Sequence, residues 1–259
     1  MRKTLERSGP LWVPSRREML GALGVGLLAP RIARAATFAV VASSAIAYNS
    51  DGAGILTTAT IDTTGADLLV LALASHYPSS PDYDSKGNLS GWTALIGQGS
   101  DPTCRLWYCV PSSVGSGHYV RLNGGSCYGT CYFAAFSGAN QTAPFDNENG
   151  ATSTGTTISP GSITPSMSNE LVISAVAGPG GGLLPGIDSS MTLLAANLSS
   201  DGYYRSCGWA YKIQTTPAAI NPIWTVSSSQ NQASVIASFK PTSSSVGSTA
   251  VRHRVTGGN

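Results

Sequence analysis

Trp107 stands two residues after Arg105, so on a strand both side chains point to the same side, an indole beside a guanidinium. An aromatic face suits the C–H surface of a sugar ring, and a guanidinium supplies hydrogen-bond donors next to it. Trp92, Tyr203 and Tyr204 offer further aromatic surface, although Trp92 follows a turn and reads equally well as a core anchor. These five residues are the candidate binding set, and the ligand they suggest is a glycan or another cell-surface group.

Catalytic chemistry is harder to find. The chain has neither a Gly-x-Ser-x-Gly elbow nor a Ser-x-x-Lys with its companion motifs. A Ser/His/Asp triad would have to use His76 or His118, since His253 lies in a polar tail. Both histidines read more simply as polar residues at strand ends. A glycosidase needs two carboxyls flanking one bond, and the acids here are few and mostly in turns. No catalytic residue is assigned.

Two stretches resemble cation sites. Asp82 to Asn88 begins like a calcium loop, but Lys86 stands where a ligand oxygen is needed and Thr93 where a bidentate Glu belongs. A turn closed by Lys86-Gly87-Asn88 is the better reading. Asp146-Asn147-Glu148-Asn149 is an oxygen-rich connection that would either bind calcium or simply be solvated. The expectation is no cofactor and no metal. Cys104, Cys109, Cys127, Cys131 and Cys207 are the disulfide candidates, and their odd number leaves one thiol over. Cys127 and Cys131 would lie about 13 Å apart on a straight strand, so they can bond only across a turn.

The elements that must position these residues read as strands. Asp67 to Ser75 is a continuous apolar run, the pattern of a strand buried on both faces. Leu106 to Val110, Tyr119 to Leu122 and Tyr132 to Phe136 are rich in aromatic and β-branched residues, with Gly, Pro, Ser and Asn between them. After the first 35 residues no apolar stripe has helical spacing. The chain also matches itself at an offset of 103 residues: Asp67-Leu68-Leu69-Val70 faces Glu170-Leu171-Val172-Ile173, Cys104 faces Cys207, Tyr108 faces Tyr211 and Phe136 faces Phe239. The fold expected is all-β: an antiparallel sandwich, jelly-roll or Ig-like, built by internal duplication. Its halves run from about 38 to 140 and from 141 to 241, folded jointly with no linker, and a disordered tail covers 242 to 259.

In both halves the face carrying Cys104, Leu106, Tyr108 and Val110, or Cys207, Trp209, Tyr211 and Ile213, is apolar and reads as core. The opposite face, Arg105-Trp107-Cys109 against Gly208-Ala210-Lys212, shares nothing between halves. That is the expectation for a solvent face or for a site present in one half only.

The first 35 residues carry seven of the 15 basic residues and two of the 13 acids. Arg16-Arg17, a short Gly/Ala/Leu run and Ala33-Arg34-Ala35 together resemble a twin-arginine export signal, with Met19 where Phe is usual. Without them the chain has 8 basic and 11 acidic residues, a net charge of −3. No clustered Lys/Arg then remains to recruit nucleic acid, and no apolar run is long enough to span a bilayer. The resemblance implies the twin-arginine translocase as partner and the periplasm or the extracellular space as destination.

Ala66 to Val70, Asp84-Ser85-Lys86-Gly87-Asn88 leading to Trp92-Thr93, Leu106 to Val110, Ala135-Phe136-Ser137-Gly138 and Ala237 to Pro241 resemble a broad group of uncharacterised secreted or phage-associated bacterial β-sandwich domains. The resemblance covers nearly all of 37 to 241 and rests on structural motifs. It implies a surface, adhesive or carbohydrate-associated role. The function expected is a non-catalytic exported binding module. The alternatives are a structural subunit of an extracellular layer or fibre, and a polysaccharide- or ester-cleaving hydrolase.

Overall fold

The structure is a computed structural model, and it describes residues 37–49, 54–124, 128–179, 186–188, 190–197 and 205–243. Arg16 and Arg17 of the export segment, Cys127, Tyr203, Tyr204 and the tail beyond 243 lie outside the described residues.

Among the described residues there are strands and a single 3-10 turn, and every strand pairing is antiparallel. One sheet orders β1 (Ala39–Ser43), β9 (Gly129–Ser137), β4 (Leu68–Ser75), β7 (Thr103–Cys109) and β6 (Trp92–Gln98), with β2 (Ala47–Asn49) also on β9. The other orders β10 (Phe145–Ile158), β15 (Trp224–Phe239), β11 (Glu170–Gly178), β14 (Ser206–Gln214) and β13 (Thr192–Asn197), with β12 (Gly186–Ile187) on β15. The two orders are the same when strands are ranked along each half.

Register agrees as well. Leu68 faces Phe136 and Leu171 faces Phe239, while Ala74 faces Cys104 and Ala177 faces Cys207. Each first strand also slips by one residue beside these phenylalanines, between Val40 and Ala42 and between Phe145 and Asn147.

The sheets face each other across one core to which both halves contribute: Leu68, Val70, Leu106 and Phe136 from one, Leu171, Ile173, Trp209 and Phe239 from the other. Strand alternation sends the intervening residues outward. Outward does not mean wet here. All eight residues of β4 and all nine of β11 are buried, as their predominantly apolar sequences require. A third sheet, β3 (Ile55–Thr57), β8 (Val120–Asn123) and β5 (Ser80–Asp84), covers the outside of the first and closes a second core on Leu69, Leu71, Trp107 and Phe133. Ile158, Ile163, Met191 and Ile220 cover Val172, Val176 and Trp224 on the other side.

Two expectations change. The outer face of β7 is core, because the small sheet lies over it. It resembles nothing on the outer face of β14 because the two faces are covered by different segments. The Asp146–Asn149 stretch is no loop but the start of the 14-residue edge strand β10. An edge strand with one face in solvent needs little apolar content, so its Thr, Ser and Asn residues read as a connection.

Candidate functional site

Two edge strands meet along one side of the sandwich. The slip in β6 between Ala94 and Gly97 frees the Ile96 N–H, which donates to Glu148 Oε2 of β10 at 2.6 Å. Beyond that tie the turn after β6 and the middle of β10 diverge and leave a groove of about 420 Å³. Its lining is polar: Asp101 from the turn, Thr152, Ser153 and Thr154 from β10, Asn231 and Gln232 from β15.

The turn is built to present Asp101. Gly99 adopts φ +75°, where a Cβ would lie 2.1 Å from the Pro102 carbonyl oxygen, so only glycine fits. Thr103 Oγ1 closes the turn by donating to the Gly99 and Ser100 carbonyls, each at 3.3 Å. Arg205 Nη2 donates to Asp101 Oδ1 at 2.5 Å, and His76 Nδ1 lies 2.8 Å from Oδ2. His76 Nδ1 is also 2.6 Å from Arg205 Nη2. One ring nitrogen cannot serve both partners: protonated it donates to Asp101, bare it accepts from Arg205. Tyr77, 48% exposed, packs its ring edge on His76 at 4.1 Å. Gln232 is buried and donates to the Gly155 carbonyl, but its Oε1 finds no partner in the protein. The groove therefore offers one anchored carboxylate, the hydroxyls of Ser100, Thr152, Ser153 and Thr154, and the Asn231 amide, whose Oδ1 accepts from Thr154 Oγ1 at 2.8 Å.

The residues singled out from the sequence are placed differently. Trp107 is 3% exposed and sits in the second core, so it offers no stacking surface. Arg105 lies over its ring at 5.8 Å, flat against Gly97, whose absent Cβ leaves the room. Trp92 is half-buried; its indole donates to Asp84 Oδ2 at 2.9 Å and its ring tilts against Phe133. The sequence missed a different aromatic surface. On the exposed side of the small sheet Tyr83 and Tyr119 stand 5.8 Å apart, with Arg121 5.5 Å over Tyr83 and forked onto Asp82 at 2.9 and 3.0 Å.

Cys104, Cys109 and Cys207 are buried thiols and no disulfide joins them. Burial pushes Cys109 and Cys207 up to about 12 and Cys104 higher still, so none is a nucleophile. Cys131 is buried too.

His118 comes closest to a triad and is not one that can work. Its Nε2 lies 3.0 Å from Asp84 Oδ1 and its Nδ1 2.9 Å from Thr63 Oγ1. All three residues are buried, and Thr63 Oγ1 also accepts the Gly115 N–H at 3.0 Å. Burial pushes the Asp84 carboxyl up, but bonds from His118, the Trp92 indole and the Lys86 N–H outweigh it and hold it at about 2. The network fastens the small sheet to the Asp84–Gly87 turn, where the Gly87 N–H donates to the Asp84 carbonyl. The oxygens of the calcium-like stretches also have protein donors: Asp82 from Arg121, Glu148 from Ile96, Asp146 from Ser166. Among the described residues no three His, Cys, Asp or Glu side chains are grouped to hold a metal.

No family model, curated protein or solved structure matches the chain.

Proposed function

We propose that this chain is an exported, non-catalytic β-sandwich module that binds a glycan in the groove at Asp101. The observation that carries the reading is the lining: a fixed carboxylate among hydroxyls and amides is the complement of a polyhydroxylated ring. A carboxylate held from behind by Arg205 keeps its remaining lone pairs for sugar hydroxyls, and such charge-assisted bonds are the strong ones. Cleavage is the weaker reading, because among the described residues Asp101 is the one acid on the groove wall and glycoside hydrolysis takes two. Export rests on Arg16-Arg17 and the segment that follows them, with the twin-arginine translocase as partner and the periplasm or beyond as destination. The shared strand order and register of the two sheets support descent from one duplicated unit of about 103 residues.

The test is retention of the purified protein on immobilised polysaccharides, with the same wells assayed for released reducing sugar. Retention without release is expected, falling about tenfold in Asp101→Asn and in Asn231→Ala, the loss of one good hydrogen bond to the ligand. Release would replace binding by hydrolysis. Retention that survives both variants but fails in Tyr83→Ala would move the site to the small sheet.

One observation favours a second reading, a subunit of an extracellular layer or fibre. β10 is a long edge strand that carries neither lysine nor proline, the usual guards against edge pairing. Failure to bind any glycan, together with concentration-dependent assembly in sedimentation, would put that reading first.

A further inference from the structure

At the far end of the second sheet, away from the groove, three charged residues converge. Asp146 is the extra residue of the slip in β10, opposite Phe239 and Ser238 of β15. Lys240 follows directly, its N–H donating to the Pro144 carbonyl at 2.6 Å and its Nζ lying 3.1 Å from Asp146 Oδ1. Glu170 opens β11, on the other side of β15, and is fully buried. Ser166 Oγ bridges the two acids, 2.7 Å from Asp146 Oδ1 and 3.2 Å from Glu170 Oε1. Glu170 Oε1 also accepts the Met167 N–H at 2.7 Å, while Oε2 is buried without a partner. The side chain of Asp146 is 8% exposed and that of Lys240 30%.

The corresponding place in the first sheet shows what packing alone needs. There the slip residue is Val41, the residue after Phe136 is Ser137, and the acid opening the strand is Asp67, which takes the Gly138 N–H and the Gln141 amide. An acid at the strand opening is common to both sheets. The lysine and the second acid occur only in the second.

We propose that Lys240 and Asp146 are joined by an intramolecular isopeptide bond, formed by the protein itself with Glu170 as the proton carrier. Within the ion pair the Lys240 ammonium passes a proton to the Asp146 carboxylate, leaving a neutral amine against a neutral carboxylic acid. The Nζ lone pair attacks Cγ; the Glu170 carboxyl protonates the hydroxyl that departs as water and takes back a proton from nitrogen. An ammonium and a carboxylate become an amide and one water, Glu170 returns to its starting form, and no oxidant or cofactor is needed. Two features prepare the step. Contact between Nζ and the carboxyl removes the entropic cost of bringing amine and acid together. Burial, with the Asp146 charge beside it, pushes Glu170 up, the direction a proton donor needs; the bonds from Ser166 and Lys240 that hold Asp146 low are the cost the proton transfer to it must overcome.

The bond does something for a surface module. Load entering through the segment after Lys240 would cross directly to Asp146 and on toward the first half, bypassing Asn147 to Phe239. The inference is independent of the glycan groove.

Mass spectrometry of the reduced, denatured full chain tests it. The protein should be one water lighter than the unmodified linear chain, and proteolysis should release a branched peptide containing both Asp146 and Lys240. Lys240→Arg keeps a cation at the acid but cannot form the amide, and should restore the full mass. Glu170→Gln should slow formation about a hundredfold or more, the scale of a lost general acid. Wild-type protein at full mass would overturn the proposal whatever the variants do. So would a water loss that persists in Lys240→Arg, the mark of cyclisation at an aspartyl residue instead.

Discussion

Asp84 illustrates how one buried residue governs behaviour across a pH range. Its folded-state carboxyl is held at about 2 against an ordinary 3.8, so the unfolded chain binds the proton first as the pH falls. Stability from this site is complete above the ordinary value and is lost through the window down to about 2, amounting to about 2 kcal/mol. Denaturant titrations at stepped pH should show that slope in the wild type. Asp84→Asn should lack it while being less stable at neutral pH, because one of the two oxygens that serve His118 and Trp92 becomes an NH2 donor; an unchanged acid slope would refute the assignment. Trp107 gives the opposite lesson. Truncating a buried tryptophan costs about 3–5 kcal/mol, so lost ligand retention in Trp107→Ala would report damage to the second core and not a missing contact.

The turn between β6 and β7 is the element on which the groove depends. Gly99 and Gly117 both have positive φ, +75° and +69°, so alanine at either is strained by roughly 1 kcal/mol. They differ in space: a Cβ at Gly117 meets nothing within 4 Å, whereas at Gly99 it meets the Pro102 carbonyl at 2.1 Å. Gly99→Ala should therefore lower the melting temperature clearly more than Gly117→Ala, and it alone should weaken glycan retention by displacing Asp101. Equal shifts would mean that the turn can open without consequence. β10 shows why elements can hide in a sequence. Most of its residues are partly exposed and polar, so no alternation of apolar side chains marks it, and its strand character comes from pairing with β15 along nearly its whole length.

At the scale of the molecule the two sheets are one folding unit. Each inner face is covered by the other sheet, and the shared core draws on residues from both halves. Residues 37–140 and 141–243 expressed separately would each leave such a face in water. Neither should give a dispersed NMR spectrum or a cooperative melt; a folded half would show that the small sheet or the loops outside β11 suffice by themselves. Strands β4 and β11, buried on both faces, are the central members around which this packing is arranged.

The sequence by itself determined the all-β class, the positions of β4, β7, β8 and β9, and the core face of β7. Those follow from local properties: side-chain alternation, uninterrupted apolar runs and turn residues act within a few positions. It also offered the 103-residue self-match, which the strand order and register parallel. The side of β7 that holds Trp107 could not be settled locally, because whether an outward face is wet depends on what crosses over it, and β5 and β8 come from distant segments. The groove was equally out of reach. Asp101, Thr152, Asn231 and Gln232 have no common spacing, and only the approach of β6 to β10 and the pairing of β10 with β15 bring them to one place. Asp146, Glu170 and Lys240 are likewise separated by dozens of residues and carry no motif, and it is the antiparallel order β10-β15-β11 that sets an amine against one acid with another alongside.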